Sequence, residues 1–291
     1  MKFGVHIFPT DESIEVAALA AEAEARGIES LWLPEHTHIP ASRESEWYRG
    51  RELPREYSRT LDPFVALTSA AAVTRRIKLG TGVCLVAQHD PITLAKTVAT
   101  LDRVTGGRFQ FGVGLGWNLE EMRDHGVEPS TRRSAVREKV LAMQGLWAKD
   151  TFAFEGRFVR FAESWSWPKP LQSPRPPVHL GGRGGARAFQ HIAEFADGWM
   201  PDISMIRREA LGAMIDELAL VCESAGRDPA EVAVSAVGVR PDPEQFARMS
   251  AAGAVRCICL LPSAGRDEVL PVLDTIHDAI ARAGLATEET A

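Results

Sequence analysis

Short apolar runs alternate with helix-patterned stretches along the whole chain, and that alternation is its strongest constraint. The runs are Lys2–Phe8, Ser30–Pro34, Ile77–Val86, Arg108–Leu115, Val178–Gly181, Asp197–Pro201, Glu231–Val239 and Val255–Leu261. The helical stretches are Ser13–Arg26, Pro63–Thr74, Pro91–Val104, Ser134–Ala148, Gly185–Ala196, Arg208–Ala225, Pro243–Ala252 and Asp267–Ala283. Runs that are apolar throughout, rather than at every second residue, belong to a parallel sheet covered on both faces. Eight strand–helix units select an α/β fold of the closed (β/α)8 barrel type over an open doubly wound sheet. One barrel domain over 1–291 is expected, with insertions at about 40–60, after the second strand, and about 150–177, between the fourth helix and the fifth strand. The second insertion reads as a hairpin turning at Glu155-Gly156, and the tail from 287 as frayed.

Composition narrows the function. A net charge of −6 leaves no basic face for nucleic acid. Cys84, Cys222, Cys257 and Cys259 form no CxxC pair and no metal-ligand spacing, which predicts buried thiols in a reducing compartment. Met1–Phe8 is too short and polar for a signal peptide, and no apolar run reaches the ~18 residues of a membrane span. The expectation is a cytoplasmic protein with no membrane or nucleic-acid partner.

In a (β/α)8 barrel the residues just after each strand carry the function. After the second strand come Glu35, His36 and His38, the richest proton-transfer cluster in the chain. Glu35-x-x-His38 and His36-x-His38 lack a third ligand at helical spacing, so no metal is expected. The third run breaks at Gly80-Thr81-Gly82-Val83, where two glycines mark a bulge or a close backbone approach. His89-Asp90-Pro91 then opens a helix, with Asp90 as N-cap. Gly112, Gly114 and Gly116 alternate along one strand face, clearing room for something flat; as a dinucleotide fingerprint their spacing is wrong. Gly181-Gly182-Arg183-Gly184-Gly185 leads into a helix and has the form of a phosphate cradle.

Five motifs in order carry a family resemblance: Trp32-Leu-Pro-Glu-His36; Leu79-Gly-Thr-Gly-Val83 with His89-Asp-Pro91; Gly112-Val-Gly-Leu-Gly-Trp-Asn118; Pro168-Lys-Pro with Gln172 to Pro177; and Gly181-Gly182 with Ala196-Asp-Gly-Trp199. The chain resembles the bacterial luciferase-like monooxygenase superfamily, and especially its branch that uses the deazaflavin coenzyme F420. The resemblance implies a non-prolyl cis peptide at Gly82–Val83 supporting the deazaflavin ring, with Thr81, Gly114 and Gly116 beside it. It implies His36 and Glu35 as acid/base groups at the ring's reactive face. Gly181, Gly182 and Arg183 would hold the coenzyme phosphate, and Arg183 with Arg187 would meet its acidic tail. Trp117, His38 and His89 would face a small substrate, and the Trp117 indole favours an apolar or aromatic one. Trp199 and Pro168 would be structural. The implied activity is hydride transfer between the deazaflavin C5 and that substrate, in an enzyme expected to be a homodimer. The alternatives are an FMN-dependent monooxygenase of the same superfamily and a non-catalytic flavin-binding protein. Pro40–Arg59, which holds Trp47, Tyr48 and Tyr57, is expected to form a lid, or else a contact between copies or a disordered loop, and the same alternatives hold for Trp165-Ser-Trp167.

Overall fold

The alternation closes into a ring in the computed structural model, which describes residues 1–47, 50–206 and 210–285. Its strands are β1 (Lys2–His6), β2 (Ser30–Leu33), β3 (Lys78–Thr81), β4 (Phe109–Val113), β5 (Thr151–Glu155), β6 (Arg160–Trp165), β7 (Val178–Gly181), β8 (Gly198–Met200), β9 (Ala233–Val237) and β10 (Arg256–Leu260). Its helices are α1 (Val16–Ala25), α2 (Pro63–Val73), α3 (Pro91–Val104), α4 (Leu119–Asp124), α5 (Arg132–Ala148), α6 (Ala186–Phe195), α7 (Leu211–Ser224), α8 (Pro243–Ala251) and α9 (Arg266–Ala283). Eight strands form a closed barrel in the order β1-β10-β9-β8-β7-β4-β3-β2, and every pairing in it is parallel. The remaining two, β5 and β6, make the antiparallel hairpin expected in the second insertion. Tyr48, the first residues of the helix expected from Arg208, and the tail from 287 lie outside the described residues.

Side chains alternate across each strand, so the barrel has two cores. The outward rows (Val5, Leu31, Leu79, Phe111, Leu180) are buried against the helices. Inside, Trp32 packs with Met200 and Ile258, bordered by Val237. The bottom is closed by Arg256, which donates to Glu29 at 2.8 and 2.9 Å and to Ser235 at 2.9 Å, and lies over the Trp32 ring. Asp62-Pro63, Asp90-Pro91 and Asp242-Pro243 each start a helix, the aspartate accepting a first-turn N–H and the proline occupying the first helical position.

Two expectations change. The third strand stops at Thr81, not Val86. After it the Gly82–Val83 peptide is cis, and a 3₁₀ turn follows at Val86–Gln88. The chain rejoins β4 through Cys84 N–H to Gly112 O and Gly114 N–H to Cys84 O, both 2.8 Å. The second change is α4, a single short helix directly after the Gly112–Asn118 motif, capped by Asn118 accepting from Glu121 N–H at 3.1 Å.

Candidate active site

The bulge after β3 is gripped by glycines. Val83 fills the space where side chains of neighbouring strands would stand: a Cβ on Gly114 would overlap its Cγ2, and one on Gly181 would lie 2.8 Å from its Cγ1. A Cβ on Gly112 would overlap the Thr81 carbonyl oxygen. Gly112, Gly114 and Gly181 therefore admit the chain's own bulge, a packing reason for their bare positions that the sequence did not show. Gly116 has φ of 74° and turns the chain into α4 above Met122. The Thr81 hydroxyl is buried and donates to Gly112 O at 2.8 Å, so it is spent within the sheet.

Behind the bulge, Glu35 is a clamp. Its Oε2 accepts from Leu85 N–H at 2.6 Å and its Oε1 from His89 Nε2–H at 2.8 Å. Burial alone would raise the Glu35 carboxyl. The hydrogen bond and charge of His89, with Leu85 N–H and the Cys84 thiol, outweigh it and leave the group below its ordinary value. For His89 burial favours the neutral form, and Glu35 outweighs that too, raising the imidazole. Burial and the Glu35 charge push the Cys84 thiol well above its usual range. Glu35, Cys84 and His89 bring an oxygen, a sulfur and a nitrogen within 4.8 Å of one another, the one such metal-like group among the described residues. The Glu35–His89 ion pair accounts for it without an ion. Glu35 and His89 thus meet each other, where the sequence placed them beside His36 and the substrate.

His36 has a different carboxylate. Its Nδ1 lies 2.8 Å from Glu121 Oε2, with both side chains buried. The other Glu121 oxygen accepts from Thr37 N–H at 3.2 Å. Trp117 Nε1–H donates to His36 Nε2 at 3.3 Å. A carboxylate only accepts and an indole N–H only donates, so the proton sits on Nδ1 and Nε2 offers its lone pair. Described residues of the 40–60 segment lie over this pair. Ser42 and Ser45 donate to Glu120 on α4, and a 3₁₀ turn at Arg55–Arg59 sets the Tyr57 ring 5.3 Å from His36 and 6.1 Å from Trp117. His38 stands apart at the rim, half-buried and paired with Asp124 at 2.9 Å.

The glycine-rich turn after β7 has the expected form. Gly182, Gly184 and Gly185 have φ of 127°, 79° and 96°, and a Cβ at Gly182 or Gly185 would meet nothing within 4 Å. Gly185 starts α6 with no side-chain cap, leaving first-turn N–H groups open. Trp199 braces the turn from below by donating to Gly182 O at 3.0 Å. Around the turn stand exposed Arg183 and Arg187, and at the start of α5 Arg132 and Arg133. Burial lowers Arg133, and the nearby charges of Arg132 and Arg187 lower it further. The Arg132 Nε–H is buried with no acceptor. None of the four has an acidic partner among the described residues.

Sequence reasoning missed Glu121, which sits on a helix too short to show a period, and His6. His6 Nε2–H donates to Gly82 O at 2.8 Å, and burial, the largest influence, lowers its pKa. His179 fills the barrel centre, donating to Gln110 Oε1 at 3.0 Å; burial and then the Arg256 charge lower it to about 3.

With this geometry in hand, comparison places the chain among known proteins. The profile of luciferase-like monooxygenases matches residues 1–256. An uncharacterized protein of Mycobacterium tuberculosis (strain ATCC 25618 / H37Rv) is 40% identical over 284 residues, covering 97% of this chain and 99% of that one. The FMNH(2)-dependent dimethylsulfone monooxygenase of Pseudomonas putida is 31% identical over 181 residues, 61% of this chain and 48% of its own. Among solved structures, an F420-dependent secondary alcohol dehydrogenase in complex with an F420-acetone adduct superposes with a TM-score of 0.77 at 19% identity, covering 97% of this chain and 99% of that one. No helix among the described residues is long and apolar enough to cross a membrane. The chain belongs to the luciferase-like monooxygenase family and is an oxidoreductase.

Proposed function

We propose that the protein is a coenzyme F420-dependent oxidoreductase that transfers a hydride between the deazaflavin C5 and a small organic substrate with an apolar or aromatic body. The residues fit such a group: an open glycine turn at a helix N-terminus suits its phosphate, and a buried, unpartnered Arg132 Nε–H awaits an acceptor. Gly182, Gly185 and Arg183 would hold the phosphate end, with the Gly82–Val83 bulge behind the ring. When bound, the deazaflavin supplies a two-electron hydride at C5 and little oxygen chemistry.

The chain's own part is proton handling and placement. His36 takes or returns a proton at Nε2, on the side facing Trp117 and Tyr57. Glu121 fixes the tautomer and supplies the counter-charge when the ring is protonated. Trp117 holds Nε2 through a long 3.3 Å hydrogen bond, the contact that a substrate oxygen replaces most easily.

The observation that carries the choice of coenzyme is the arginine group. Arg132, Arg133, Arg183 and Arg187 extend cationic surface past the phosphate turn, where the deazaflavin bears an acidic tail and FMN has ended. Titrating the protein with F420 and FMN side by side tests it. F420 is expected to bind at least ~10-fold tighter, a gap of about 1.4 kcal/mol, and Arg183→Ala or Arg133→Ala to weaken F420 more than FMN. Equal or tighter FMN binding turns the assignment to a flavin monooxygenase. His36→Asn is expected to leave that binding in place and lower turnover by roughly 10²–10⁴-fold.

A further inference from the structure

The barrel mouth has a second wall, away from the glycines, and its chemistry describes a ligand. Met200 points into the barrel against Trp32 and Ile258. Two residues on, Asp202 continues the same inward row, held in place by a parallel bridge to Val237. On β10, Leu260 continues the row above Ile258 and is 54% exposed, unusual for a leucine that faces the inside of a barrel. Gly238 lies between them: a Cβ there would be 3.4 Å from Asp202 Oδ1 and 3.9 Å from Leu260 Cδ1. With no side chain at 238, Asp202 and Leu260 border one open space.

Asp202 is a carboxylate of this mouth that pairs with no cation among the described residues. Glu35 has His89, and Glu121 has His36. Asp202 Oδ1 accepts from Ser204 N–H at 2.8 Å, while its other oxygen accepts no hydrogen bond and neither joins an ion pair among the described residues. The same space continues towards Tyr57 through β1: His6 pairs with Leu260 across β1 and β10, and its ring lies 5.7 Å from that of Phe8. Tyr57 in turn packs 4.4 Å from Phe8 and 5.3 Å from His36. A negative group beside aromatic faces and exposed aliphatic surface is the recognition chemistry of an organic cation.

We propose that the substrate carries a cationic nitrogen, as an amine or quaternary ammonium, seated between Asp202 and the Tyr57 ring, with its apolar body against Leu260 and Phe8. The idea rests on the oxidoreductase reading only in naming this ligand the substrate. Tyr57 packs against both Phe8 and His36, so a nitrogen held beside its ring leaves the rest of the molecule directed towards His36.

Calorimetric titration of the cofactor-loaded protein with three probes of similar size tests it: benzyltrimethylammonium, benzyl alcohol and benzoate. The cation is expected to bind at least ~10-fold tighter than the alcohol, and benzoate weakest. Asp202→Asn, which keeps the Ser204 hydrogen bond, is expected to bring the cation within about threefold of the alcohol. Tyr57→Leu, a change outside the barrel strands, is expected to reduce the same preference if the Asn variant folds poorly. The proposal is overturned if benzoate binds as tightly as the cation, if none of the probes binds, or if both variants keep the wild-type order. Cofactor titrations on the same samples separate the two readings. Loss of the F420 preference with the probe order intact sinks the coenzyme assignment alone, and the converse sinks the substrate class alone.

Discussion

The two walls of the barrel mouth are built from different materials. At the mouth ends of β3, β4 and β7 the inward positions are Gly82, Gly112, Gly114 and Gly181; at the last three backbone meets backbone or the Val83 side chain, and Gly82 lies against His6 and Trp32. On β8, β9, β10 and β1 they are Met200, Asp202, Val237, Leu260 and His6. The first wall is a shape made by the main chain, and a single methyl group does not fit it. The second is a set of side chains on a surface that the fold does not fill. A group bound identically by many proteins is suited to the first kind of wall, and a ligand that differs from one protein to the next to the second.

Glycine substitution tests the first half of that contrast and has the largest expected effect. Gly112→Ala drives a Cβ into the Thr81 carbonyl oxygen, so the backbone of β3 or β4 must move. The expected loss exceeds ~4 kcal/mol, or the chain fails to accumulate folded. Gly114→Ala meets Val83 instead, a stiff β-branched side chain, and a cost of about 1–3 kcal/mol is expected. That second clash has a remedy: Val83→Ala in the same chain should recover part of it, with a coupling of about 0.5–3 kcal/mol in urea denaturation. Additive losses would mean that the wall is not organised around Val83.

The same contrast explains what was legible in the sequence. Backbone walls write themselves as glycines in fixed order, and the strand count, the Gly82–Val83 bulge and the turn after β7 were all readable from that. Side-chain walls leave no such mark. Asp202, Leu260 and His6 are single residues on three strands, joined by closure of the ring and not by spacing. The Glu35–His36 pairing failed for a local reason. Adjacent residues at a strand end point to opposite sides, so Glu35 turns to the bulge and His36 to Glu121, 85 residues later. Gly114 shows the limit of reading glycine itself, because the sequence gives the bare position without saying what lies against it.

A smaller effect probes how the bulge is held. His89 has its folded pKa raised above its ordinary 6.5, so its contribution is fully present below that value and is lost as pH rises through the folded pKa. Glu35 is lowered from 4.5, so its contribution is present above that value and is lost as pH falls through the folded pKa. Both act together between pH 4.5 and 6.5. His89→Gln should cost about 1.5–3 kcal/mol at a pH inside that window, the usual scale for a hydrogen bond to a charged partner, and progressively less in alkaline buffer. Thermal denaturation of both proteins from inside that window into alkaline buffer measures it. A penalty independent of pH would make His89 a packing residue with no electrostatic share in the clamp.

The smallest expected change in stability tests the second wall. Leu260 is 54% exposed, and its inward neighbour Ile258, one step down the same strand, is fully buried. Removing most of the Leu260 side chain takes little apolar surface back into water and opens no closed cavity, since the space beside Gly238 is already open. Leu260→Ala should therefore stay within about 0.5 kcal/mol of the parent in urea denaturation. The same substitution should weaken benzyltrimethylammonium binding several-fold, because the apolar body of that ligand covers Leu260 when it is bound. A residue that contributes to binding and almost nothing to folding is what separates a side-chain wall from a backbone one. If Leu260→Ala instead destabilised the barrel as Gly114→Ala is expected to, the two walls would be one structural ring and the division drawn between them would fail.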